Sequence, residues 1–462
     1  KCAGIFWLLH VVIVVVDFTL ARWMGQAKTK SRKTILLVVS LVVNLGMLVY
    51  FKYNLYSELF TEILDKPYDP RYLFLPAGIS FFTFQSLSYT IDVYRGQLKA
   101  LDNMLDYAFY VTFFPQMVAG PIVRAADFLP QIRVPVFVSK ADFGRGFFLI
   151  CSGLFKKAVI SDYISVNFVD RVFESPQQYT GLENMFAVYG YALQIYCDFS
   201  GYSEMAIGIA LLMGFKFLDN FNSPYQSLSV TEFWRRWHIS LSTWLRDYLY
   251  IPLGGNRGNS AGTWLVTGGF LAISLGIATF SAMKGEWWWL ALWSAVAGIV
   301  VLPALARRDK HALSTNFNLF ATMLLGGLWH GAASRFILWG VLHGLALATE
   351  KWIKTAFPGK PSGLRKALGG LLTFHFVCFC WIFFRAEGME KAGQMLHQIA
   401  YSFRPEFFPE FLTGYGTVVF WMCLGFGLHF LPKSAELAAQ RAATALPVLG
   451  KALVLTAFIA LV

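Results

Sequence analysis

An all-α polytopic membrane protein is the fold class this sequence predicts, on three observations. Of its 462 residues, 56% are hydrophobic and 14% charged, where an ordinary soluble protein carries about 25% charge. Its mean hydropathy is +0.52. Apolar runs long enough to cross a hydrocarbon core recur from one end to the other, and no polar stretch is long enough for a separate soluble domain. Together these exclude a soluble multidomain enzyme, a disordered chain and a disulfide scaffold. The expectation is one membrane domain over 1–462, with about ten to twelve transmembrane helices supplemented by re-entrant and in-plane amphipathic helices.

The apolar segments fall near 3–20, 35–51, 72–93, 143–160, 185–213, 262–283, 286–306, 367–384, 415–431 and 447–462, each close to the length of a span. The chain opens on Lys1 with an apolar run almost at once, which points to a trimmed start inside the first helix, and no cleavable signal-peptide pattern precedes it. The segment 105–123 carries Pro115, Gly120 and Pro121, which break a helix, and it reads as re-entrant or kinked. Loop charges set the orientation. The loop 21–34 holds Arg22, Lys28, Lys30, Arg32 and Lys33 and no acid, so it reads as cytoplasmic; the mixed loop 52–71 reads as external. By the same rule 216–257, 307–311 and 351–366 are cytoplasmic and 385–410 is external.

Both ends of the stretch between the basic loops 307–311 and 351–366 then lie on one side. Residues 317–349 are too few for two spans of about 20 residues each, so the spacing predicts a pair of short helices meeting within the membrane. Their break falls near Gly326, Gly327, Trp329, His330 and Gly331, which puts His330 at a buried, wet turning point.

The run Ser229–Tyr250 begins with Ser229 and Glu232 at capping-box spacing, so a helix starts there. Arg235, Arg236, Arg246 and Asp247 would each cost about 2.5–3.5 kcal/mol at mid-bilayer, so this helix lies in the interface with Trp234, Trp237, Leu241, Trp244 and Tyr248 inward. Arg235, His238 and Ser242, spaced i, i+3, i+7, are expected on one face. After Pro252, the basic glycine-rich loop Gly254–Gly258, with Asn256 and Arg257, could wrap a phosphate through its N–H groups.

Two readings compete for each chemical candidate. His330 is either a packed histidine of the bundle or a working imidazole; ionisable groups at membrane depth, set at a helix break, favour function. His238 is either an ordinary interfacial histidine or a second functional one. His343, Trp329, Ser242 and Asp198 are expected to line the same cavity. Asp198 and Glu204 place acid inside an apolar helix, either paired with Lys or Arg for architecture or moving protons. No carboxylates stand at helical spacing around the histidines, no His-Glu-x-x-His pattern occurs and the six cysteines read as small buried hydrophobes, so no metal is expected. What remains is a neutral imidazole acting as general base on a hydroxyl. Arg235, Arg236, Arg246, Asn256 and Arg257 suit a phosphate-bearing donor such as coenzyme A. The net charge of +12 fits cytoplasmic loops of a membrane protein, with no nucleic acid implied.

The motifs Glu232–Tyr248, Pro252–Arg257 and Gly327–Gly331 closely resemble those of the membrane-bound O-acyltransferase family. Tyr196–Tyr202 and Phe114–Ile122 add the bacterial alginate O-acetylation branch, with teichoic-acid D-alanylation relatives beside it. The motif-bearing core is about 105–350, and 367–462 is less diagnostic. The resemblance implies helices around a central tunnel, His330 as the catalytic histidine and His238 as a second essential one. It also implies acetyl-CoA as donor substrate rather than a bound cofactor, with an acyl carrier protein as the lesser alternative. The implied partners are a periplasmic acetyltransferase or polysaccharide export complex, and the implied location is the bacterial inner membrane. The rival function is a transporter or exporter with a His and acid proton relay. Such proteins show two related halves, and the Trp-His-Gly break has no counterpart in the first half.

Overall fold

The computed structural model describes residues 7–53, 76, 78–256, 310–356 and 362–460, with isolated positions at 275, 279, 283, 285 and 359. Most of the predicted segments 262–283 and 286–306, most of the loop 52–71, and Arg257 lie outside the described residues. Among the described residues helix is the sole regular secondary structure. Three helices have the length and apolarity of a span, Leu8–Gln26, Lys30–Lys52 and Gly363–Arg385. The count rises to five if Pro405–Gly414 with Gly416–Phe430, bent by 94°, and Lys433–Ala445 with Val448–Ala460, bent by 120°, each make one. The expected ten to twelve is not reached by these helices. The chain divides into two compact units, Lys1–Asn222 with Gln394–Val462, and Ser223–Gly393.

In the first unit, α1 (Trp7–Gln26), α2 (Lys30–Lys52) and α3 (Ile79–Arg95) pack together. Thr29 starts α2 by accepting the Arg32 N–H. Asp17 of α1 is fully buried, which is costly unless its oxygens are hydrogen-bonded. Ser40 Oγ at 2.7 Å and Asn44 Nδ2 at 2.8 and 3.0 Å supply those bonds from α2. The predicted break at Pro115 is present: α4 (Met104–Thr112) stops before a 3₁₀ turn at Phe114–Gln116, and α5 (Ala125–Ile132) resumes. α6 (Lys140–Leu154) runs on through π-type turns at Phe155–Ser161 and Ser165–Val169. It packs on the 32-residue α7 (Gly181–Leu212), which opens with a Thr180–Glu183 capping box. The contact is close enough that a Cβ on Gly153 would stand 2.3 Å from the Gly201 carbonyl oxygen. Lys156 and Lys157, in the first π-type turn, both reach α7: Lys156 pairs with Glu204, and Lys157 with Asp198 at 2.7 Å. Pairing with lysine is thus what occupies both acids.

In the second unit, two seven-residue helices, α8 (Val230–Arg236) and α9 (Ile239–Leu245), precede α10 (Lys310–His330), α11 (Ser334–Ala356) and α12 (Gly363–Arg385). α10 and α11 have 21 and 23 residues, about 31 and 35 Å at 1.5 Å per residue. The predicted pair of short helices over 317–349 is therefore corrected to two longer ones, Lys310–His330 and Ser334–Ala356. The error lay in the ends: residues 351–356, read as loop, are helical, and a Glu350–Lys354 ion pair one turn apart carries α11 through its charges. The two helices touch through glycine. A Cβ on Gly327 would lie 2.4 Å from the Phe336 oxygen and 3.1 Å from Gly340 Cα.

α13 (Met389–Tyr401) returns the chain to the first unit, followed by α14 (Phe408–Gly414), α15 (Gly416–Phe430), α16 (Lys433–Ala445) and α17 (Val448–Ala460). At the bend between α16 and α17, the largely buried Lys451 ammonium donates to the carbonyls of Thr444, at 3.1 Å, and Leu446. It meets there the exposed carbonyls that a helix end leaves over.

Candidate active site

His330 is the last residue of α10. Its ring meets Trp329 at 4.9 Å, Trp339 of α11 at 5.1 Å and Phe384 of α12 at 5.0 Å between centroids, each nearly edge-on. Phe384 is held in register because Arg335 of α11 donates to its carbonyl at 3.0 Å. These rings fix the imidazole without sealing it, since His330 keeps intermediate exposure while Trp329 and Trp339 are buried.

α8 is anchored to α11 at its start, where the Thr231 N–H donates to the Glu350 carboxylate at 2.9 Å, an acid at a helix N-terminus. Ser229 caps it as predicted, accepting the Glu232 N–H, while the Glu232 carboxylate accepts the Leu228 N–H at 3.0 Å. The helix then stops. His238 takes φ 42° and ψ 57°, a left-handed conformation that separates α8 from α9. The expected continuous helix is therefore corrected, and with it the shared face of Arg235, His238 and Ser242. Arg235 is exposed, His238 is buried, and the Ser242 hydroxyl turns back to donate to the Trp237 carbonyl at 3.2 Å. The predicted inward side holds for Trp234, Trp237, Leu241 and Trp244. His238 reaches Trp329 at 6.2 Å, so the two histidines flank one indole. Burial pushes the His238 imidazole down to about 3, which keeps it neutral at physiological pH.

The third histidine is tied to α8. Trp234 Nε1 donates to His343 Nδ1 at 3.2 Å, and both residues stack edge-on with Trp339, at 5.6 and 4.7 Å. Trp381 of α12 packs on Trp237 at 5.1 Å and donates its own N–H to the Tyr225 hydroxyl at 3.2 Å. A partly exposed imidazole set among two indoles and a phenyl ring can take a proton from a hydroxyl while the surrounding low dielectric strengthens its interactions.

The membrane-bound O-acyltransferase family model matches residues 4–275 and 303–390. The chain belongs to that family. Among curated proteins, one named "Probable alginate O-acetylase AlgI" from Pseudomonas aeruginosa is 37% identical over 404 residues, 86% of this chain and 66% of that protein. A peptidoglycan O-acetyltransferase of Helicobacter pylori is 32% identical over 415 residues, 84% of this chain and 69% of its own length. A teichoic acid D-alanyltransferase of Bacillus subtilis is 27% identical over 327 residues, 69% and 70% of the two chains. The alignment with the Pseudomonas protein thus spans just under two thirds of that relative.

In this member of the family, the site residues read from the sequence divide by location. His330, His238, His343, Trp329 and Ser242 belong to the second unit, and the three histidines are linked there through Trp329 and Trp339. Asp198 belongs to the first unit, where Lys157 holds it. Of the donor-binding candidates, Arg235 is exposed, Arg236 pairs with Glu232 at 2.8 Å, and Arg246 pairs with its neighbour Asp247 at 2.6 Å. Asn256 accepts from the Tyr250 hydroxyl at 2.8 Å. Among the described residues no group of three His, Cys, Asp or Glu could hold a metal. The sequence reading gave Trp339 and Phe384 no role and placed Trp234 only on the inward side of its helix. Trp339 and His343 stand four apart on one helix, a spacing that puts them on one face and was the available signal.

Proposed function

We propose that this protein is an O-acyltransferase of the bacterial inner membrane that moves acetyl from cytoplasmic acetyl-CoA through a tunnel to a hydroxyl outside, on a polysaccharide or a periplasmic relay partner. The observation that carries this is His330, partly exposed in its aromatic setting at the Trp-His-Gly turn of a chain in this family. In the reaction, His330 takes the proton of the acceptor hydroxyl as its oxygen attacks the thioester carbonyl. The tetrahedral adduct expels the CoA thiolate, and the imidazolium returns the proton to it. His238, buried, neutral and on the other side of Trp329, supports the acceptor side. Arg235, Arg246 and the Asn256–Arg257 loop receive the donor phosphates, which requires Arg246 to exchange Asp247 for phosphate.

Acetyl is preferred over D-alanyl because the relatives named for alginate and peptidoglycan O-acetylation are more similar than the D-alanyl one, and CoA is preferred over a carrier protein because the arginines Arg235 and Arg246 suit a phosphate-bearing donor. The test is acetyl transfer from labelled acetyl-CoA by detergent-purified protein. His330→Ala should keep its thermal midpoint and lose at least about 100-fold in rate, the low end for a general base. Retained transfer by that variant would remove His330 from the chemistry.

A further inference from the structure

The pairing of Trp234 with His343 has a consequence for catalysis. An indole N–H only donates, so His343 Nδ1 must carry the lone pair, the ring is neutral and its hydrogen resides on Nε2. His343 is fully buried, and that Nε2–H has no hydrogen-bond partner among the described residues. Trp339 is 1% exposed and its Nε1–H is in the same condition, whereas the indole N–H groups of Trp234 and Trp381 are both engaged. Two buried donors with no acceptor are costly and call for a function. Their location supplies one, because the Trp339 ring packs against both His343, at 4.7 Å, and His330, at 5.1 Å.

The geometry points to His343 Nε2–H, together with Trp339 Nε1–H, as the donors that bind the carbonyl oxygen of the acyl group undergoing transfer. When the hydroxyl oxygen adds to the thioester carbon, the C=O pair moves onto that oxygen, and the two N–H groups meet the negative charge. When the C–S bond breaks, the pair returns to re-form the carbonyl of the ester. Neutral N–H donors fixed among aromatic rings need no reorganisation at that moment. His343 and Trp339 are then catalytic residues, and Trp234 is a positioning residue that holds His343 in the donating tautomer. The inference rests on the acyl-transfer reading above.

The experiment measures free thiol released from acetyl-CoA by the full chain in detergent, with kcat and KM determined separately and the thermal midpoint recorded for each variant. His343→Leu, which removes the donor, should lower kcat about 100-fold or more while KM stays within about threefold. His343→Gln, which keeps an N–H in place of Nε2–H, should recover to within about tenfold of the parent, a rescue that a purely structural role would not distinguish. Trp234→Phe should lower kcat with KM unchanged, since the ring can then adopt the other tautomer. Unchanged kcat in His343→Leu, a loss confined to KM, or His343→Gln folded but as slow as His343→Leu would each overturn the inference. If His330→Ala loses turnover while His343→Leu does not, the acyl-transfer reading stands and this one falls. If the parent protein releases no thiol, both fall.

Discussion

His238 joins two features that single residues seldom combine: a left-handed backbone at φ 42° and near-total burial. A non-glycine residue held there stores about 1–3 kcal/mol of strain, and such strain concentrates at working sites. Its charge state carries a testable sign. In the unfolded chain its pKa is the ordinary 6.5, and in the folded one burial pushes it down to about 3. Below 6.5 the unfolded state takes up a proton that the folded state refuses, so the stability this group contributes is complete above 6.5 and is lost as pH falls toward 3. The expected outcome is that His238→Gln flattens the decline of the thermal midpoint between pH 6.5 and 4, the site itself contributing at most about 1.4 kcal/mol per pH unit. Parallel curves for the two proteins would refute this. At this scale the sequence was readable, since histidine among apolar residues is conspicuous. The backbone turn at His238 was not, because nothing in Trp-Arg-Arg-Trp-His-Ile-Ser breaks a helix by propensity.

Helix by helix, glycine decides how closely α10 and α11 approach, and thereby where His330 and His343 stand. Gly326 and Gly327 are neighbours with opposite demands. A Cβ at Gly326 would meet only Leu245 Cδ1 at 3.5 Å, an ordinary contact, whereas one at Gly327 would strike the Phe336 oxygen at 2.4 Å. Gly326→Ala should therefore be neutral or stabilising by up to about 1 kcal/mol through helix propensity. Gly327→Ala should cost about 1–3 kcal/mol as α10 and α11 are forced apart, and acetyl transfer should fall with it. Thermal melts of the two variants in one detergent decide the matter, and the opposite ranking would contradict the packing. Apolar length announced these helices, but it misjudged their ends, because Glu350 and Lys354 neutralise each other one turn apart and let α11 continue where isolated charges would have stopped it.

Across the whole molecule, the uneven loop charges predict a direction for the chain in the bilayer. Lys28, between α1 and α2, belongs to an all-basic loop, and Gly388, between α12 and α13, to the stretch 385–410, whose four Glu outnumber its three Lys and Arg. A membrane-impermeant thiol reagent on intact cells should label Gly388→Cys, where a Cβ meets nothing within 4 Å. It should reach Lys28→Cys only after permeabilisation, with the unsubstituted chain as background; reversed labelling would invert the proposed direction of transfer. The family, the helical class and the break at Pro115 were determined by sequence, which also nominated His330 and His238. Each depends on local composition or on a short run of residues whose meaning does not need the rest of the chain. Tertiary structure alone decided that Asp198 and Glu204 are spent on lysines, that α8 and α9 part at His238, and that Trp234, 109 residues away, fixes the proton of His343. Such pairings join side chains far apart in the chain, and spacing along a sequence carries no record of them until the helices are packed.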